Sequence, residues 1–280
     1  MALHHVTDRF VGKTLEWWVA YLLLGLFVGL FAGMLGIGGG MLLVPLLVFL
    51  FSAQGFSADR VLHLALGTSL TSIVFTSLSS IRAHNARGAI RWDIFRKAAA
   101  GLVVGTLTGS LVADWLDGRY LACVFVIFVS YAATQMLLDI KPKATRTLPG
   151  PVSMAGGSAL VGVVSSMVGA GGGVVSIPLM VMCNVSMRNA VGTSAALGFP
   201  IALAGTMGYI LTGLGEQNLP PLRLGYVYLP ALFGVVIGTF VTVPLGARLA
   251  HSMPVAQLKK IFAVILFVLA ARMLWSLFSS

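Results

Sequence analysis

The sequence predicts an all-α integral membrane protein of about eight transmembrane segments in two repeats, each repeat beginning with a glycine-broken helix or re-entrant hairpin. Three observations predict it. Of 280 residues, 58% are hydrophobic and 9% charged, with a mean hydropathy of +0.97, against about 25% charged in soluble domains. Apolar runs of about 20 residues, long enough to cross roughly 30 Å of hydrocarbon, recur along the whole length. A glycine-rich break also interrupts such a run twice. The first reads Met34-Leu35-Gly36-Ile37-Gly38-Gly39-Gly40 with Pro45 downstream, and the second Met167-Val168-Gly169-Ala170-Gly171-Gly172-Gly173 with Pro178 downstream.

Taken in order, residues 1–16 form an N-terminal tail. The first repeat, 17–138, holds an apolar segment over 17–35, its continuation after the glycines over 41–51, and spans over 61–81, 94–113 and 120–138. A basic, proline-containing linker follows over 139–151. The second repeat, 152–278, repeats the plan: 152–168, 174–183, 190–211, 227–245 and 255–278. Three successive glycines sustain a helix poorly, each costing about 1 kcal/mol relative to alanine.

The duplication extends beyond the breaks. Ala65-Leu66-Gly67-Thr68-Ser69 matches Ala190-Val191-Gly192-Thr193-Ser194, and Gly101-Leu102-Val103-Val104-Gly105-Thr106 matches Gly234-Val235-Val236-Ile237-Gly238-Thr239. Gly88-Ala89-Ile90-Arg91-Trp92 aligns more weakly with Gly225-Tyr226-Val227-Tyr228-Leu229. The paired glycines spaced by four let helices approach closely.

Two topologies fit residues 17–51. One kinked crossing gives four passes per half and parallel repeats; a hairpin gives three full passes per half and inverted repeats. Charge does not choose between them. Both put residues 82–97 and 141–146 on the cytoplasmic side, and they merely exchange Arg9, Lys13, Arg223 and Arg272 for Arg188, Arg248, Lys259 and Lys260. The half-span length of each post-glycine piece leans toward the hairpin.

The formal charge of +10 orients the spans and meets anionic lipid; no nucleic acid partner is implied. Cys123 and Cys183, the only cysteines, read as small buried hydrophobes and provide neither a disulfide framework nor a metal site. Trp17, Trp18, Trp92 and Trp115 read as interfacial anchors.

The chemistry converges on an anion. The acidic residues Asp8, Glu16, Asp59, Asp93, Asp114, Asp117, Asp139 and Glu216 all fall at span ends or in loops, so no carboxylate is available at membrane depth for a cation. The breaks supply backbone N–H groups at the starts of new helices, where donors and the helix dipole favour negative charge. Gly38, Gly39, Gly40, Gly171, Gly172 and Gly173 are therefore the candidate substrate cradle, and Thr68, Ser69, Thr193 and Ser194 the hydroxyl donors beside it. The competing reading is a tight helix crossing.

Ser69, Ser72, Thr76 and Ser79 share a helix face and either line a polar path or bond their own helix carbonyls. His63 reads as a cap or interface residue, Gln135 and Tyr209 as interhelical hydrogen-bond partners, and Arg82, His84, Asn85, Arg87 and Arg91 as orienting charge or a cationic entrance.

The paired breaks with their prolines, the GTS that follows each, and the eight-segment duplication resemble the TauE/SafE sulfite exporter family. The resemblance spans about residues 21–274. It implies a multi-pass permease of the bacterial inner membrane that moves small anions, often sulfur oxyanions or organosulfonates. The sequence expectation is thus a secondary transporter of a small anion such as sulfite, working by alternating access between two repeats. The alternative is an anion or small-solute channel. No HExxH or GxSxG occurs, so no enzyme, cofactor or metal is expected. The coupling ion and the oligomeric state stay open.

Overall fold

The computed structural model describes residues 2–35, 39–138, 147–249 and 255–279. Gly36, Ile37, Gly38 and most of the linker, 139–146, lie outside the described residues. Among the described residues ten helices follow in order: α1 (Ala2–Leu35), α2 (Gly40–Ala53), α3 (Val61–Ala86), α4 (Trp92–Trp115), α5 (Gly118–Leu137), α6 (Pro151–Val168), α7 (Gly173–Met182), α8 (Met187–Gly213), α9 (Leu229–Leu249) and α10 (Val255–Ser279). A two-stranded antiparallel turn, β1 (Arg223–Leu224) with β2 (Val227–Tyr228), links α8 to α9. Among the described residues, α1, α3, α4, α5, α6, α8 and α9 contain stretches long and apolar enough to cross a membrane, whereas α2 and α7 are too short. Residues 2–16, expected as a tail, continue α1 as helix.

Each break ends on a glycine with left-handed backbone. Gly39 (φ 59°) is the N-cap of α2 and Gly172 (φ 73°) that of α7, a conformation that only glycine adopts at no steric cost. Pro45 and Pro178 sit inside the short helices, and α6 closes on Gly169, also left-handed at φ 65°.

The first half folds back as a hairpin. The ring of Phe51, at the end of α2, lies 6.2 Å from that of Tyr21, near the start of the apolar part of α1, and Gln54 donates a hydrogen bond to the Tyr21 hydroxyl. In the second half α7 runs into the start of α8, where Arg188 donates to the Arg87 carbonyl. The start of α6 lies beside Gly101 near the start of α4. The two hairpins therefore open toward opposite ends of the bundle.

The helices pair across the halves. The first helix of each half packs on the other half, α1 along α9 and α6 along α4, while α3 packs on α8 and α5 on α10. Small residues make this possible. A Cβ on Gly101 or Gly105 would come within 2.0 and 1.9 Å of the carbonyls of Ala155 and Ala159, so α4 and α6 touch backbone to backbone. Gly25 and Gly238 do the same between α1 and α9. The buried centre is α3 and α8, flanked by α2 and α7.

Charge divides the ends. One, here the basic end, carries Arg82, Arg87, Arg96, Lys97 and Arg188. The other, the mixed-charge end, carries Asp59, Arg60, Asp114, Asp117, Arg119, Glu216 and Arg223. Trp115 is 85% exposed, and Trp18 and Trp92 are exposed as well, as amphipathic anchors require. The cysteines are free, and less buried than expected: Cys123 on α5 is exposed and Cys183, just past the end of α7, is half-buried.

Candidate functional site

The second break lines a cavity of about 70 Å³. Gly171 and Gly173 form one wall, Ser194, Ala195 and Gly198 of α8 another, and Ile73, Thr76, Ser77 and Ser80 of α3 a third; Ala32 and Val243 close it. The N–H groups of Gly173 and Val174 open α7 and make no hydrogen bond to a described residue. They are the free donors of a helix start. Ser194 is buried, and its hydroxyl likewise has no described partner. The cavity thus offers neutral N–H and O–H donors and no carboxylate, a lining suited to a small anion.

The candidate residues divide by role. Gly171, Gly173 and Ser194 face the cavity directly. Gly172 sets the turn that aims them. Gly40 sits against the Gly169 carbonyl, 2.3 Å from where its Cβ would be, so the start of α2 abuts the second break. Ser69 donates to that same carbonyl at 3.0 Å. It braces the break rather than facing the cavity. Gly38 lies outside the described residues.

The two threonines have matched structural partners. Thr68 Oγ1 accepts the Tyr228 N–H at 3.0 Å, and Thr193 Oγ1 accepts the Arg91 N–H at 2.9 Å. Each glycine before them admits a carbonyl of the same loop: a Cβ on Gly67 would lie 2.5 Å from Tyr226 O, and one on Gly192 2.6 Å from Ala89 O. The Gly-Thr pair is thus a clamp for the loop entering α9 or α4 of the opposite half. Both threonines are fully buried and away from the cavity lining.

The polar stripe on α3 does both of its expected jobs. Ser72 bonds the Ser69 carbonyl and Thr76 that of Ile73, yet Thr76 also faces the cavity. Ser79 is exposed. The true lining face is Ile73, Thr76, Ser77 and Ser80, one step round the helix, which a search for hydroxyls alone misses because Ile73 anchors it. Gly198, two residues before Pro200 inside α8, was the other available signal.

The cavity extends toward the basic end. Toward the mixed-charge end it is blocked by Val44, Leu66, Leu70 and Tyr209, all at 0% exposure. Tyr209 donates to the Ser166 carbonyl at 3.0 Å, which makes it an interhelical partner. Beyond it Tyr226 donates to Asp114 Oδ1 at 2.8 Å, and burial followed by that bond holds its phenol well above the usual tyrosine range. Arg60 Nη2 lies 2.6 Å from Glu216 Oε1 and its Nη1 3.9 Å from Asp114 Oδ1. His63, expected as a cap or interface residue, is instead fully buried behind this pair, because Tyr226 and Ala113 cover it.

Known proteins supply the remaining findings. The family profile described as sulfite exporter TauE/SafE matches residues 21–273. A probable membrane transporter protein of Haemophilus influenzae is 36% identical over 90% of this chain and 96% of its own length. One from Methanocaldococcus jannaschii is 29% identical over 90% of this chain and 94% of its own. YdhB of Bacillus subtilis, also named a probable membrane transporter protein, is 27% identical over 83% and 90%. No solved structure matches the chain.

Proposed function

We propose, since this chain belongs to the sulfite exporter TauE/SafE family and is a multi-pass membrane transporter, that its substrate is a small anion. The best class is a sulfur oxyanion or organosulfonate such as sulfite. The observation that carries this is the wall at the second break: Gly171, Gly173 and Ser194 around a cavity free of carboxylates, with the α7 amides unpartnered. An oxyanion accepts several such hydrogen bonds at once and gains from the helix start.

Alternating access between inverted repeats is the mechanism that this arrangement favours. The hairpins open to opposite ends, and a buried layer closes one side of the cavity. A channel would need a continuous path, and the layer at Tyr209 interrupts it. Placing the basic end in the cytoplasm follows the positive-inside rule.

Counterflow tests the reading. Proteoliposomes loaded with unlabelled sulfite are given labelled sulfite outside, with sulfate, thiosulfate and methanesulfonate as competitors. Saturable accelerated exchange that methanesulfonate suppresses supports a sulfur-anion carrier. Flux without counterflow moves the assignment to a channel, and no exchange with folded protein removes the sulfur substrate.

A further inference from the structure

His63 is a titratable residue that the transport site does not use. It sits on α3 at 0% exposure. Its Nε2 lies 2.9 Å from the Ala113 carbonyl, which requires a proton on Nε2. Its Nδ1 is buried with no partner among the described residues, and its ring lies 5.2 Å from that of Tyr226. Buried polar atoms are almost always satisfied, so an orphan one calls for a reason. A neutral ring with Nδ1 as an empty acceptor is one proton short of its full donor set.

A route for that proton adjoins it. A cleft of about 1010 Å³ opens at the mixed-charge end, lined among others by Asp59, Asp114, Asp117 and Glu216 against Arg60 and Arg119. The carboxylates outnumber the guanidinium groups, which suits protons and repels anions. Arg60 and Asp114 belong both to this cleft and to the surroundings of His63.

We infer that His63 is a proton-binding site, loaded at Nδ1 from the acidic cleft, and that loading it opens the mixed-charge end. The N–H bond forms with a proton drawn from water in the cleft, and nothing else is consumed. In the sealed arrangement the new Nδ1–H has no acceptor among the described residues, and the carboxylates near the new charge, Asp114 and Glu216, are already engaged by Tyr226 and Arg60. Both penalties fall on the closed state.

Charges of both signs surround the ring: Arg60 opposes a charge on it, and Asp114 and Glu216 favour one but are already engaged. Arg60, at the N-cap of α3, repels the imidazolium. On α4 the nearest anion is Asp114, the residue after Ala113, which already accepts from Tyr226 and lies beside Arg60. Glu216, after α8, is held by Arg60, and Arg223 faces the carbonyls of Gly213 and Glu216. Tyr209 and Tyr226 are neutral phenols. α2, α6 and residues Leu229–Gly246 of α9 carry no titratable side chain besides these. A charged His63 therefore competes with Arg60 and Tyr226 for Asp114. Losing the Tyr226 tie loosens the 225–228 turn that seals this end.

The inference rests on the two-ended transport reading for its purpose, but its test needs no substrate. In a Cys123→Ser, Cys183→Ser background, Ala202→Cys places a thiol on α8 at a fully buried position between the sealed end and the cavity. A membrane-impermeant maleimide is applied at the mixed-charge end from about pH 8 to about pH 5.5, across the histidine range. Labelling is expected to rise about tenfold as pH falls, against the trend of thiol ionisation, and His63→Gln is expected to make it flat. A rise that survives in His63→Gln, or no rise in the parent, overturns the proposal. Should His63→Gln not fold, Glu216→Gln decides: faster labelling at about pH 8 supports the latch and unchanged labelling overturns it. Sulfite exchange in the same vesicles is read separately, so loss of exchange with pH-gated labelling intact counts against the substrate alone.

Discussion

The two ends of the bundle present the same chain position in opposite states. His63 and Arg188 each lie five residues before the threonine of a GTS motif. At the mixed-charge end that position is fully buried, roofed by Tyr226 and backed by the Arg60–Glu216 pair. At the basic end Arg188 is exposed and donates a hydrogen bond to the Arg87 carbonyl. The clamps beneath are alike at both ends, since Thr68 and Thr193 each hold one N–H of the opposing loop. The difference teaches that the burial of this position is set by the few polar residues above the clamp, not by the helix scaffold below it.

The largest expected effect comes from the element that both ends share. Gly172→Val forces a branched residue to φ 73° and puts its Cβ 2.6 Å from Ile201 Cδ1, and Gly39→Val meets the same backbone demand. Both variants should lose sulfite counterflow to background while still reaching the membrane; transport retained in both would detach the breaks from function.

Gly171→Ala is subtler. Its Cβ would meet nothing closer than 3.6 Å, so the fold should keep its melting temperature while the roughly 70 Å³ cavity shrinks. Exchange should drop about tenfold, and unchanged exchange would move the substrate elsewhere. Thr68→Val and Thr193→Val should each cost about 1–3 kcal/mol by stranding a part-buried N–H of the opposing loop. Thermal unfolding in detergent measures both, and a loss at one position alone would show that the two clamps are not equivalent. Arg188→Gln, the smallest change, should stay within about 0.5 kcal/mol, as surface substitutions do.

Much of the scaffold is legible in the sequence. Helix positions follow from apolar run lengths, and each expected span overlaps an observed helix, although α1 begins at Ala2 rather than at 17. The half-length α2 and α7 follow from glycine and proline placement. Direction after a break does not, because hydropathy has no sign; the contact of Phe51 with Tyr21 decides it. The GTS motifs are visible as motifs, but the loop N–H groups that their threonines hold are not. The partner of Thr68 is 160 residues away and that of Thr193 102 residues away, and no local pattern encodes such a pair. The burial of His63 is hidden for the same reason: what covers it comes from α4 and the turn before α9.

The exchanged helix pairs also bear on how the chain is made. α6 emerges when α4, its partner, is already present. α1 must wait for α9, about 200 residues later, which at about 5–20 residues per second is roughly 10–40 s of synthesis. During that interval the glycine face of α1 is without its mate. Its apolar length lets it rest in lipid meanwhile, and its docking is among the last steps by which the newborn protein takes shape.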